Sequence, residues 1–202
     1  MSTEKRSYEL KERARQQEQT RQRIVEATVA LHQECGPAAT TVAKIARRAG
    51  VSRLTVYTHF PDDGDLFAAC QRQFFTENPL PDLAPALSRE DPRERVRQVL
   101  AATYCSYRRQ QPMTSKVLRD RKALPALDAL LARTLDARQS GLADTLATGL
   151  ATEYPAHKRA RALIALALDF FTWQRLTQEG LGDNDAANLM SELIAHTTAH
   201  NP

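Results

Sequence analysis

Glycine is scarce in this 202-residue chain, with seven in all, and aromatic residues make up only 6%. No credible series of alternating apolar and polar residues marks a set of strands, so a β-rich fold is excluded. The three cysteines, Cys35, Cys70 and Cys105, form an odd, sparse set whose even spacing fits no metal pattern. They are expected to be small buried apolar residues in a reducing compartment. The N-terminal MSTEKRSYELKERARQQEQ has no apolar core and is not expected to act as a secretory leader. The longest apolar run, Ala162 to Leu168, is far shorter than a membrane span. A soluble, cytoplasmic protein without a membrane partner is the expectation. There is no glycine-rich phosphate loop and no nucleophile motif. His32, His157, His196 and His200 pair with no carboxylate or cysteine at ligand spacing. His196 and His200 share a helix face but have no third ligand nearby. No metal, no cofactor and no enzyme activity are therefore expected.

What is abundant is Ala, Leu, Arg and Gln, all helix formers. The expected fold is all-α, with about nine helices. Charge is uneven: residues 1–60 carry eleven Lys/Arg against six Asp/Glu, and residues 61–202 carry seventeen against eighteen. The whole excess sits in the first third, which suggests a polyanion partner there. Residues 1–19 are polar, charged and without an apolar stripe, and read as a frayed helix or a disordered arm.

From Thr20 a helical stripe begins (Ile24, Val25, Ala27, Thr28, Leu31, Cys35) and Gly36-Pro37 stops it. Thr41 reads as the N-cap of a second helix with Val42, Ile45, Ala46 and Ala49 on its buried face. Gly50 ends that helix, and Ser52 caps a third, short one running to about His59. The acidic Asp62–Asp65 run starts a fourth helix, which suits the positive end of its dipole. Two short helices joined by a tight turn make a DNA-binding helix-turn-helix. Small Ala46 permits close approach, Gly50 supplies the turn, Val51 plugs it, and Ile45 and Val56 share a core. The outward face of the third helix is then Ser52, Arg53, Leu54, Thr55, Thr58 and His59, a mixture suited to phosphates, base edges and a thymine methyl.

The run from Gly36 to Phe60, GPAATTVAKIARRAGVSRLTVYTHF, followed by Pro61, an acidic turn and Leu66-Phe67, resembles the N-terminal domain of the TetR family of transcriptional regulators. The resemblance covers about Thr20 to Phe74. It implies that Thr41 meets a phosphate, that Arg53, Leu54, Thr55 and Thr58 make base and groove contacts, and that Tyr57 and His59 touch the backbone. Lys44 and Ser52 complete the expected double-stranded DNA-binding set. Asp63 stands where many relatives carry a phosphate-binding lysine, with the helix amides left as an alternative phosphate contact. The basic arm (Lys5, Arg6, Lys11, Arg13, Arg15) is expected to offset that carboxylate.

Three regions follow: an arm over 1–19, a helix-turn-helix domain over 20–66, and an effector-binding and dimerising domain over 67–202. In the last, residues 77–90 read as a linker, and Asp91-Pro92 starts a helix that ends at Gln111-Pro112. Helices are expected over 113–122, 125–150, 156–179 and 184–199. The 156–179 segment is apolar nearly all round at its centre, so it is expected to be buried on more than one side. With the final helix it would build an intersubunit four-helix bundle, giving a homodimer through the two C-terminal helices. Tyr104, Tyr107, Met113, Leu118, Phe170, Phe171 and Trp173 are large groups that would line a cavity for an unidentified small-molecule effector, or form ordinary core. The resemblance implies a repressor released from a palindromic operator by that effector. Two other readings stay open: a helical dimeric enzyme or small-molecule carrier whose basic end is incidental, and a non-specific DNA binder.

Overall fold

The computed structural model describes the backbone of residues 2–151 and 154–199, and the side chains of 7–151 and 154–197. His200 and the side chains of Lys5 and Arg6 lie outside the described residues. The architecture is all-α, as expected. Its α-helices are α1 (Ser2–Cys35), α2 (Val42–Ala49), α3 (Arg53–His59), α4 (Asp63–Glu77), α5 (Ala84–Leu87), α6 (Pro92–Asp120), α7 (Pro125–Leu131), α8 (Ala137–Thr148), α9 (Tyr154–Leu168), α10 (Phe170–Gln178) and α11 (Asp183–Ala199). A 3₁₀ turn at Arg121–Ala123 follows α6, and one π-helical turn at Ala132–Asp136 joins α7 to α8.

The chain divides into two units. The first holds Met1–Asn78 and Pro112–Leu130, and the second holds Pro79–Gln111 and Leu131–Pro202. In the first, Ile24, Val25, Leu31, Ile45, Ala46, Ala49, Val56, Phe60, Leu66, Cys70 and Phe74 form the core, and Met113 of α6 joins them. Burial raises the Cys70 thiol to about 12, so that sulfur serves as packing. The other two cysteines depart from expectation: Cys35 is half-buried and Cys105 is exposed.

Four helix boundaries differ from the sequence reading. Before Thr20 the helical alternative holds over the disordered one, and the helix expected from Thr20 runs unbroken from Ser2. Pro112 does not stop α6, although it has no N–H to give to the carbonyl one turn back. Tertiary contacts outweigh that loss: Met113 is buried in the first core, Val117 packs on it, and Asp120 is buried at the helix end. Inside the 77–90 linker, Ala84–Leu87 forms one helical turn.

The fourth difference lies in the second unit, where the apolar 156–179 helix breaks at Asp169, whose backbone is extended (φ −69°, ψ 134°). The carbonyls released at the end of α9 are recaptured from α6 and α8. Tyr104 donates its hydroxyl to Ala167 O (2.8 Å), and Tyr107 donates to Leu168 O (2.6 Å). Gln139 Nε2 also donates to Leu168 O (2.8 Å). On the other side of the break, Asp169 caps α10 by accepting from Thr172 N (2.8 Å). Two carbonyls and one amide at the break are thus paired again. Nor is α9 enclosed on all sides within one chain, since Ala162, Ala165 and Leu166 are exposed. On α11, Ala186, Met190 and Ile194 are buried, whereas Leu189 and Leu193 are about half exposed.

Candidate nucleic-acid interface

A seven-residue helix such as α3 is too short to hold itself together in water. Both its ends and its inner face are supplied by neighbours. Thr41 Oγ1 accepts from Lys44 N (3.3 Å), which opens α2. Gly50 closes α2 with φ 66°, a left-handed conformation that a side chain would strain. That turn lets Val51 N reach Ala46 O (3.0 Å). Two residues later Ser52 Oγ accepts from Thr55 N (3.0 Å) and opens α3. Val56, 1% exposed, pins the inner face, and Phe60 is buried beyond it under the Arg21 guanidinium, 4.7 Å from the ring centroid.

With Val56 turned inward, Arg53, Leu54, Tyr57 and Thr58 are exposed, and Thr55 and His59 are half-buried. Ser52 and Thr41 lie exposed at the two helix starts. Seven of the nine expected residues thus lie on α3 or at its start, clear of the Val56 contact, and Thr41 stands exposed at the start of α2. Lys44 is half-buried and gives its Nζ to Ala39 O (2.7 Å), which bridges α2 to the preceding turn. Between Cys35 and Pro61 there is no acidic residue, while Lys44, Arg47, Arg48 and Arg53 are all there. Arg48 is paired with Glu34 (2.6 Å), which holds that carboxyl below its ordinary range. Arg47 and Arg53 carry the remaining exposed charge, so the α2–α3 surface is cationic.

A family model for bacterial regulatory proteins of the tetR family matches residues 24–70, the stretch that builds this surface. Residues 24–70 form a domain of the tetR family. The HTH-type transcriptional regulator AcrR of Shigella flexneri is 39% identical over 51 residues, which are 25% of this chain and 24% of that protein. The HTH-type transcriptional regulator BetI of Yersinia pestis (strain Pestoides F) is 34% identical over 86 residues, 42% of this chain and 43% of that one. The chain thus matches less than half the length of these curated relatives. A TetR-like transcriptional regulator from Rhodococcus sp. RHA1, solved as a crystal structure, has the same fold, with a TM-score of 0.63 at 22% identity over 90% of this chain and 97% of that one.

The fourth helix starts in the acidic run as expected, but two of its first amides are engaged. Asp62 is its N-cap, and Asp62 Oδ1 accepts from Gly64 N (2.7 Å) and Asp65 N (3.2 Å). Those amides, expected to be open to a phosphate, are already bonded to a carboxylate. Asp63 stands exposed beside them. On the arm, Lys11, Arg13 and Arg15 are exposed on helical backbone.

A set of contacts absent from the sequence reading ties the end of α6 to the α1–α2 turn inside the first unit. Lys116 Nζ donates to Gln33 O, Arg119 Nη2 reaches Cys35 O (3.5 Å), and buried Asp120 accepts from Ala38 N (3.0 Å). Gly36 (φ 87°) makes room: a Cβ there would lie 2.5 Å from Asp120 Oδ2. The hydrogen bond from Arg119 holds the Asp120 carboxyl below its ordinary range. Beside it, burial lowers the His32 imidazole to about 4, with Asp120 acting in the opposite direction. The pairing of Gly36-Pro37 with a distant carboxylate has no local signature, since Ala38 and Asp120 are 82 residues apart.

Of the seven large residues expected around an effector, the structure brings five together in the second unit. Tyr107 contacts Tyr104, Phe170 and Trp173 at ring-centroid distances of 6.4, 5.4 and 5.8 Å, and Phe171 packs on Phe170 at 5.6 Å. Met113 and the half-buried Leu118 fall in the first unit instead. The polar handles of the cluster are engaged. Both tyrosine hydroxyls donate to α9 carbonyls, Gln139 Nε2 donates to Tyr107 Oη (2.9 Å), and Trp173 Nε1 donates to Asp183 (3.0 Å). Burial raises both phenols, Tyr107 to about 12, so they remain protonated donors.

Proposed function

We propose that this chain is a DNA-binding transcriptional regulator that grips the major groove through α3. The observation that carries the proposal is the outward face of α3, capped by Ser52 and seated on Val56, within an acid-free cationic segment that the family model matches. Thr41, Lys44, Ser52, Tyr57 and His59 serve the backbone, while Arg53, Leu54, Thr55 and Thr58 face the base edges. The regulator acts as a homodimer. Leu166 of α9, Phe171 of α10, and Leu189 and Leu193 of α11 are each about half exposed, and a two-fold partner would cover them. Two α3 helices then meet a palindromic site about one helical turn apart.

The effector reading rests on the ring cluster of Tyr104, Tyr107, Phe170, Phe171 and Trp173. Those rings pack on one another with satisfied hydroxyls, so a ligand enters only by parting them. Binding and rearrangement are then one event, and a ligand shifts the protein between states by its differential affinity for them. Repression relieved by such a ligand is the direction the family resemblance implies.

The test is selection of binding sites from a randomised duplex pool by the full-length protein, followed by affinity measurements on the winning sequence with Arg53→Ala. The variant is expected to lose about 1–3 kcal/mol of discrimination at one base pair per half-site. Uniform weakening on every sequence would instead assign Arg53 to phosphate. Binding that unrelated DNA competes away equally would make the chain a non-specific binder.

A further inference from the structure

Hydrogen bonding on the outward face of α3 is already partly spent inside the helix. Thr58 Oγ1 donates to Leu54 O (2.8 Å), so its hydroxyl has lone pairs left but no hydrogen to give. The Ser52 and Thr55 hydroxyls bond each other (2.8 Å), which leaves that pair a single hydrogen. Leu54 is in the opposite situation. It is 75% exposed, the most exposed leucine among the described residues, and it sits on a face otherwise made of polar groups. Tyr57, 54% exposed, and Thr58 follow it at the three- and four-residue spacings that share a helix face. Burial inside the fold does not account for a leucine held this far into water. The charge around it, Arg47 and Arg53 with no carboxylate between Cys35 and Pro61, favours a polyanion as what covers it.

The one apolar group on a base-pair edge in the major groove is the 5-methyl of a pyrimidine. We propose that Leu54 reads that 5-methyl group, carried by thymine or by 5-methylcytosine, at one position in each half-site. The proposal deepens the reading of α3 as the groove-facing helix and rests on it. Removing one methyl from contact with Leu54 should weaken binding about fourfold per half-site, the size expected for one buried carbon. Two equivalent half-sites give about fifteenfold.

The probe is the duplex selected from the randomised pool. Each thymine of the half-site is replaced in turn by deoxyuridine, which keeps every hydrogen-bonding edge and deletes only the methyl. Dissociation constants are measured by fluorescence anisotropy for the wild-type protein and for Leu54→Ala, with thermal melting confirming that the variant is folded. The expected result is one thymine whose replacement costs wild type about fourfold per half-site and leaves Leu54→Ala unaffected. A second pair of duplexes carries cytosine or 5-methylcytosine at that position. A methyl effect there too makes the contact one to 5-methylpyrimidines in general; its absence restricts it to thymine. Equal deoxyuridine penalties in wild type and Leu54→Ala, or no penalty at any thymine, overturn the proposal while the reading of α3 stands. A pool that enriches no sequence overturns both.

Discussion

The stability of the α1–α2 region should depend on pH through one side chain, His32. It is 4% exposed, lies against the Phe67 ring (centroids 5.8 Å apart), and has its imidazole lowered from 6.5 to about 4 by burial, against the pull of the Asp120 carboxylate. Below pH 6.5 the unfolded chain takes up a proton that the folded chain refuses until about pH 4. The stabilisation from keeping the imidazole neutral is therefore complete above the upper value and is lost as pH falls through the interval. Proton linkage over that interval gives a loss of roughly 2 kcal/mol between pH 7 and pH 5. The depressed carboxyls, Glu34, Glu94, Asp120, Asp128 and Asp183, do not confuse this window. Their contribution is present above their unfolded values of 3.8 or 4.5 and is lost only at lower pH. Urea unfolding followed by far-ultraviolet circular dichroism at about pH 7 and pH 5 measures the difference, at a few tenths of a kcal/mol precision. His32→Gln lowers stability at both values by removing the ring, but the pH dependence itself should all but disappear. A wild type with flat stability across the window, or a variant that keeps the wild-type slope, would refute the argument.

Two further outcomes are expected. At the α9–α10 break, Tyr104→Phe leaves Ala167 O without its side-chain donor and should cost about 1–2 kcal/mol, whereas Tyr107→Phe should cost less because Gln139 still donates to Leu168 O. Urea unfolding followed by the fluorescence of Trp173, the sole tryptophan, reads both, and a reversed order would contradict the assigned donors. Deleting residues 1–16 should weaken DNA binding and flatten its salt dependence by about 0.9 in the log–log slope for each of Lys11, Arg13 and Arg15 that meets a phosphate; an unchanged slope removes the arm from the interface.

How much of this was legible in the sequence depends on how far away the deciding partner lies. The caps at Thr41 and Ser52 and the turn at Gly50 act within five residues, so their residue types announce them. Once Val56 is assigned inward, the outward face of α3 follows by geometry, so which of its side chains are exposed was readable from the sequence. The arm stayed open between helix and disorder because a missing apolar stripe argues against packing and not against helix. Local pairs such as Gln16 with Glu12 and Gln22 with Glu26 need no core to form. At Pro112 the local rule was outweighed by Met113, whose place in the first core only the tertiary structure reveals. The same blindness grouped Met113 and Leu118 with the aromatic cluster, since size and hydropathy say that a residue is buried but not in which core. Asp169 is the sharpest case. ALIALALDFFTW is helical by composition, and the break exists because Tyr104, Tyr107 and Gln139, between 29 and 63 residues away, accept the cost of pairing its freed carbonyls. A signal was nonetheless present: an aspartate in an otherwise apolar run is costly to bury unless something bonds to it. Asp169 meets that demand by capping Thr172 N, and a carboxylate inside an apolar run is reason enough to look for a helix end there.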